Sequence, residues 1–412
     1  MVIRNIYELN SAISLASSPS SPMTVILKQL YENTKFSPNV DISTLTNVKK
    51  ELQGAIDTAS KVVEKVVEPD HVLMSRVEQV FLTLNQLQIS ETKNAPTPWD
   101  EITTALNQVR IYIKDISDSQ NLHQAALEAA RKRMTRADID PLVQLKKIAQ
   151  KSPEPVRSWL LDIVNEAWSV VVVEASKGIQ ARWHSEVYSV FRDMGLNRYP
   201  FDVSASEEIS LKDFENLFAT GGTLDYFIQE TLAPFYDINL WVPKRVDGQV
   251  MSLSPQFIAQ LKKYKTIRNT MINQDTNKFY IPFSAKVVDL DSSAIRASIN
   301  IGENIMDYYH GPSKVQAFQW PPKSGDFEVR VTLQDVTSEG KEHSLSKNGQ
   351  WAIYRLLSES TLSDVTNTSL ISHINVSGRE ISILFTPLTQ NNPFNFAELS
   401  NFDLPEIINK NK

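Results

Sequence analysis

Glycine is unevenly distributed along this chain, and the distribution restricts the fold more than any motif does. Of its 12 glycines, Gly54 and Gly178 are the only two before Gly195, which opens the group of the other ten. Glycine costs conformational entropy inside a helix and is favoured where a turn needs positive φ. The first 194 residues are therefore expected to be helical and the remainder rich in turns.

The first half carries the start signals such helices need. Ser21-Pro22 is an N-cap followed by proline at the first helical position, and Met23, Ile26, Leu27, Leu30 and Tyr31 then recur on one face. Thr97-Pro98 precedes Trp99, Ile102, Leu106, Val109 and Ile113, and Asp140-Pro141 precedes Leu142, Leu145 and Ile148. Ser152-Pro153 precedes a long segment through Trp159, Ile163, Trp168 and Val172. Residues 44–68 and 70–88 read as two further helices, parted at Glu68-Pro69-Asp70. The repeated proline device predicts an all-α region up to about residue 192.

Residues 195–278 are expected to form a mixed, mainly helical connecting domain. Gly195 ends the long helix, and Tyr199 must be extended before Pro200. Ser210-Leu211-Lys212-Asp213 opens a helix, Thr220-Gly221-Gly222 is a turn with Thr223 capping a short helix, and Ser254-Pro255 opens another helix to about Met271. After about residue 279 the period changes to two. Ile295, Ala297, Ile299 and Ile301 alternate with polar neighbours, as do Phe327, Val329, Val331 and Leu333. Residues 374–385 read as a hairpin about Ser377-Gly378-Arg379, and residues 351–360 as a short helix. The predicted fold is α+β multidomain. An N-terminal all-α helical bundle (1–194) leads through the connecting domain (195–278) into a C-terminal antiparallel β-sandwich-like domain (279–412).

Composition excludes several functions. With no Cys, the chain has no disulfides, thiolate metal sites, iron–sulfur clusters or cysteine nucleophiles. A formal net charge of −6 has the wrong sign for a protein that grips nucleic acid. The densest apolar run, Val170-Val171-Val172-Val173, is far short of the roughly 18 residues of a membrane span. Residues 1–17 are amphipathic and unlike a signal peptide. The P-loop, G-x-S-x-G and H-E-x-x-H patterns are missing.

The side chains that could carry chemistry are scattered. His184 and Glu186 fall on different faces of a helix and read as surface groups rather than metal ligands. Asp289 and Asp291 could do acid–base work or bind Ca²⁺, against the reading of a polar turn at a strand end. Arg131, Lys132, Arg133 and Arg136 read as a solvated last helical turn, with nucleic acid or acidic lipid as the other use. Trp320 and Trp351 are expected in the core, or else exposed as stacking platforms for a sugar. Tyr308-Tyr309-His310-Gly311-Pro312 is either loop packing or part of a partner surface. No cofactor or metal is expected.

A series of motifs in order carries a family likeness. Arg198-Tyr199-Pro200-Phe201 is followed by Leu211-x-x-Phe214, Gly221-Gly222-x-Leu224-Asp225-x-Phe227 and Leu232-x-Pro234-Phe235. Residues 309–321 add a His-Gly-Pro to Trp-Pro segment, and residues 349–357 a Gly-Gln-Trp-Ala-Ile-Tyr-Arg-Leu-Leu helix. Asn392-Pro393-Phe394 and Phe402-x-Leu404-Pro405 follow. Nearly the whole chain resembles the C-terminal region of the IcmF/TssM family, inner-membrane proteins of bacterial secretion machines. The chain has Ala219-Thr220 where the family often has Gly-Pro, and Asn269-Thr270 where it often has paired phenylalanines. Both the type VI and the type IVB (Dot/Icm) branches stay open.

The resemblance implies a structural, non-enzymatic periplasmic region of an inner-membrane protein, with transmembrane and cytoplasmic parts outside this chain. It implies oligomeric assembly, a small inner-membrane partner and an outer-membrane lipoprotein docked by the β-domain, with no nucleic acid and no small-molecule substrate. The polar turns at strand ends nominate Lys323, Ser324, Glu339, Lys341, Asn391 and Asn392 as partner-binding residues. Two other readings stand beside it. One is a periplasmic glycan- or peptide-binding sandwich that exposes Trp320 or Trp351. The other is a hydrolase with Asp289 and Asp291 in a cleft.

Overall fold

The computed structural model describes residues 3–34, 76–90, 92, 95–336, 340–389, 391–394 and 397–409. An all-α part is followed by an antiparallel β part, as the patterning predicts. The chain divides into two compact units, Met1–Gly178 with Arg245–Val250, and Ile179–Lys244 with Met251–Lys412.

The first unit is helical. Its described helices include Ile6–Ala16, Pro22–Thr34, Pro98–Ser117, Leu122–Thr135, Pro141–Lys151 and the start of Val156–Trp183, and residues 76–85 are also helical. The predicted helix over 44–68, and the first part of that over 70–88, lie outside the described residues. Thr97 and Asp100 form a reciprocal capping box, and Asp140 Oδ1 accepts from the Leu142 and Val143 amides at 2.9 and 3.1 Å. The helix expected from Pro153 begins instead at Val156. Glu154 precedes Pro155, and the residue before a proline is pushed out of the α region. Trp99, Ile102, Leu106, Val109 and Ile113 are buried along one face of Pro98–Ser117, which packs on Ile6–Ala16 and Pro141–Lys151.

The basic cluster departs from its solvated reading at one member. Arg133 is buried, 3.3 Å from Asp140 and paired with Asp247, which also binds Lys146. Asp247 and Gly248 are the two positive-φ residues of a tight turn bridged between Val246 and Gln249. Trp168 Nε1 donates to the Val246 carbonyl at 2.9 Å.

The second unit joins helices to a sandwich. Its helical elements are the end of Val156–Trp183, then Ser189–Met194, Leu211–Phe218, Thr223–Phe227 and Pro255–Met271. Two π-helical turns, His184–Tyr188 and Ile228–Leu232, continue helices that precede them. Gly222, not Thr223, occupies the N-cap of Thr223–Phe227, and Asp225 accepts from the Gly221 amide at 2.8 Å. Trp183 stacks edge-on against Phe227 and Phe257. Phe214, Phe279 and Tyr354 each meet Trp351 edge-on at 5.3 Å, which welds the helices to the sandwich.

The strands are β1 (Tyr236–Asp237), β2 (Val242–Pro243), β3 (Ile281–Leu290), β4 (Ala294–Ile301), β5 (Asn304–Tyr308), β6 (Gln316–Trp320), β7 (Glu328–Asp335), β8 (Glu342–Asn348), β9 (Thr361–Ser363), β10 (Leu370–Val376) and β11 (Arg379–Pro387). The short β1 and β2 pair with each other. The sandwich sets a sheet ordered β6-β3-β11-β10-β9 against one ordered β5-β4-β7-β8, every pair antiparallel. The alternation holds for Ala297, Ile299 and Ile301, which are buried, but Ile295 is exposed. It is the extra residue of a β-bulge, since Ala294 pairs with Asp335 and Arg296 with Gln334.

Segment 397–409 leaves the sandwich and lies along the helical elements of the same unit. Ile408 donates from its amide to Gln180 Oε1 at 2.9 Å and accepts from the Ser254 amide at 2.7 Å. Trp183 Nε1 donates to the Pro405 carbonyl at 2.8 Å, and Phe402 and Leu404 are buried.

Candidate functional site

Strand register sorts the sandwich loops into two ends. Ile301 pairs with Val329 and Ala294 with Asp335, so turn 302–303 and loop 321–327 share one end while turn 291–293 and residues 336, 340 and 341 share the other. The eight residues of β7 separate the ends by about 25 Å.

The candidate partner-binding residues do not form one patch. Lys323 and Ser324 sit at the first end, where Glu303 accepts from their backbone amides at 3.2 and 3.4 Å and from Ser324 Oγ at 2.8 Å. Asn391 is exposed at that end and donates to Thr270 Oγ1 at 3.5 Å. Asn392 is buried there, its amide donating to the Thr366 and Ser369 carbonyls at 3.0 and 3.3 Å. Lys341 is exposed at the opposite end, its carbonyl accepting from the Asp335 amide at 3.0 Å. Glu339 lies outside the described residues.

The first end is committed to the unit's own helical elements. Arg355 Nε is 2.6 Å from Glu208 Oε1, its Nη atoms donate to the Ala205 and Ser206 carbonyls, and its guanidinium covers the Tyr199 ring at 4.2 Å. Trp351 Nε1 donates to the Ile209 carbonyl at 2.7 Å, and Gln350 Oε1 accepts from the Leu211 amide at 2.5 Å.

The opposite end is braced but open. Asp335 is buried and holds Arg379 at 2.6 Å and His343 at 3.3 Å. Asp291 accepts from Ser293 Oγ and the Ser293 amide at 2.7 and 2.8 Å, which holds its carboxyl below the usual range. His310 Nε2 donates to the Ala294 carbonyl at 2.6 Å and Ser313 Oγ to the Val287 carbonyl at 2.5 Å. Four apolar side chains are exposed at this end, Val288 (47% exposed) on the sheet that holds β3, and Ile295 (42%), Tyr309 (60%) and Val336 (59%) on or beside the sheet that holds β4. Two of them are bulge residues. Val288 is skipped between the pairs Asp289–Ser382 and Val287–Ile383, as Ile295 is in β4. A bulge re-aims a side chain that strict alternation would place otherwise. Arg296, paired with Asp307 at 2.8 Å, lies over the Tyr309 ring at 5.6 Å and supplies a polar rim.

This arrangement suits protein contact. The aspartate pair is not in a cleft, because Asp289 is exposed on β3 and Asp291 is spent on its own turn. That removes the hydrolase reading. The sugar-stacking reading fails on both indoles. Trp320 and Trp351 are fully buried, with Trp320 Nε1 donating to the Gln350 carbonyl at 2.9 Å. His184 is half-exposed, 3.4 Å from Glu406. Of the four exposed apolar residues, the sequence pointed to a partner surface only at Tyr309, through its aromatic turn, while Lys341 at the same end was nominated by its polar turn. Bulge positions depend on a partner strand and leave no local signal.

Residues 174–276 match the "Type VI secretion protein IcmF helical domain" and residues 283–388 the "Type VI secretion protein IcmF C2-like domain". Type VI secretion system component TssM1 of Pseudomonas aeruginosa is 24% identical over 419 residues, covering 98% of this chain. The chain spans 37% of that relative's length. Among solved structures, a chain of a type VI secretion system membrane core complex superposes with a TM-score of 0.76 at 15% identity, over 100% of this chain and 80% of that one. A chain of a type VI membrane complex gives 0.73 at 14%, over 99% and 75%.

Proposed function

Because this chain is a C-terminal region of the IcmF/TssM family, we propose that it is the structural, periplasmic part of a type VI secretion membrane complex, joining partner proteins without catalysing a reaction. Residues 1–194 serve as a strut, 195–278 as a connector and 279–412 as the docking domain. No described helix is long and apolar enough to cross a membrane, and the anchor belongs to the part of the protein upstream. The chain acts in an oligomeric assembly with a small inner-membrane partner.

The observation that carries the reading is the open end of the sandwich. Val288, Ile295, Tyr309 and Val336 are apolar and exposed at this braced end, where Arg296 and Lys341 also lie. Apolar and aromatic anchors with a polar rim are the anatomy of a protein–protein contact. We assign this surface to the outer-membrane lipoprotein.

The test measures affinity between this chain and the lipid-free lipoprotein from the same secretion gene cluster by surface plasmon resonance. Val288→Asp with Ile295→Asp is expected to weaken binding by about 100-fold or more, by charging two exposed apolar anchors that the contact would cover. Lys341→Glu, at the same end, is expected to shift the on-rate and its salt dependence, and Lys323→Glu to leave both unchanged. Unchanged affinity in the double variant, or loss confined to Lys323→Glu, would overturn the assignment. Protease access to this region in spheroplasts carrying the full-length protein tests the periplasmic address.

A further inference from the structure

A cavity of about 400 Å³ in the first unit lies among Pro98–Ser117, Leu122–Thr135 and the start of Pro141–Lys151. That volume falls in the range of small-ligand sites, about 300–1,000 Å³. Part of its lining is apolar, made by Ile116, Ala125, Ala129, Ile139 and Pro141. The two alanines are one helical turn apart, and their small side chains leave the space open.

One polar group in the cavity is unexplained. The Tyr112 hydroxyl is buried and has no hydrogen-bond partner among the described residues. Its neighbour Asp140 does not bond it: Asp140 Oδ1 accepts from two helix amides and lies 3.3 Å from Arg133. A buried hydroxyl without a partner is costly, and native proteins rarely keep one without a use. The lining also carries both signs of charge, with Lys132 and Arg136 four residues apart and Asp115 and Glu128 also present. A simple anion would meet the two carboxylates, and a simple cation the two basic groups.

We propose that this cavity binds a small zwitterion with an apolar body, of the size and kind of an apolar dipeptide. Its carboxylate meets Lys132 and Arg136, its ammonium meets Asp115 and Glu128, and its side chains enter the alanine-lined space. A peptide carbonyl or amide reaches the Tyr112 hydroxyl. The site is separate from the docking surface of the sandwich and stands whether or not that assignment holds.

The experiment is calorimetric titration of leucyl-leucine into the 412-residue chain, with N-acetyl-leucyl-leucine amide as a control lacking both end charges. Saturable binding of the free dipeptide is expected, weakened about tenfold or more in the capped control. Tyr112→Phe keeps the ring and removes the hydroxyl. It is expected to raise the thermal midpoint of the free chain, since an unpartnered buried group is gone, and to weaken the dipeptide about fivefold. Ala129→Leu, checked for folding by circular dichroism, fills the space and should abolish binding. Three results would each overturn the proposal: no saturable heat, equal affinity for the capped control, or Tyr112→Phe binding unchanged. A lower thermal midpoint for Tyr112→Phe would do so too, showing that the hydroxyl serves bound water alone.

Discussion

The guanidinium of Arg133 lies 4.3 Å from the centre of the Trp168 ring, with none of its side chain open to solvent. The contact combines ring stacking with two carboxylate partners, Asp140 and Asp247. Arginine suits this place because its planar, weakly hydrated head can stack and pair at once.

Removing that head should cost more than the contact itself is worth. Arg133→Ala leaves Asp140, and in part Asp247, buried without their cation, and is expected to destabilise the helical unit by about 3–5 kcal/mol. Arg133→Lys keeps the charge and loses the fork and the stacking, so an intermediate loss is expected. Urea unfolding followed by circular dichroism measures both. Losses under about 1 kcal/mol for Arg133→Ala would show that the carboxylates find water instead.

Trp351 is the corresponding anchor of the second unit. It is fully buried, meets three aromatic rings and donates to the Ile209 carbonyl at 2.7 Å. Trp351→Ala is expected to cost about 3–5 kcal/mol. Trp351→Phe keeps part of the packing but strands the Ile209 carbonyl, for a smaller loss of about 1–3 kcal/mol. Denaturant midpoints rank the two, and equal losses would show that the hydrogen bond contributes nothing.

Alkali should open the second unit through its phenols. Burial pushes Tyr199 and Tyr264 up to about 12. A phenol is neutral when protonated, and here its folded pKa lies above the unfolded value of about 10. The stability it contributes is therefore fully present below pH 10 and is lost as pH rises from about 10 to 12. Tyrosine absorbance at 295 nm, titrated alongside near-ultraviolet circular dichroism, should show ionisation and loss of packing together. Tyr264→Phe should move the transition to higher pH. Ionisation of all tyrosines near pH 10 in the folded state would contradict this.

Local signals were legible and distant pairings were not. Pro22, Pro98, Pro141 and Pro255 each open a helix where the sequence places one, because caps and proline act on their own turn. The Pro153 start moved because a second proline two residues on overrode it. Arg133 read as solvated because Asp247 lies 114 residues away in sequence. Ile295 read as core because alternation assumes an unbroken ladder, and a bulge is set by the facing strand. Of the candidate docking residues, composition nominated turns at both ends of the sandwich, and only the register of β4 on β7 separates them. Tyr112 gave no signal at all, since a missing hydrogen bond is a property of its surroundings.

Segment 397–409 has a mechanical meaning. It returns from the sandwich to the helices, where Leu253 bridges Asn409 in antiparallel register and Trp183 and Gln180 hold Pro405, Glu406 and Ile408. The sandwich is thus fastened to the helical elements by the chain on both sides, once where β3 begins and once through this segment. A pull on the open end divides among the chain entering β3, this segment, and the Trp351 and Arg355 contacts. The segment is held by several hydrogen bonds and by buried Phe402 and Leu404, so it yields only when they give way together. Tension applied to the sandwich therefore passes into the helices as a shared load, not as a peeling force on one strand.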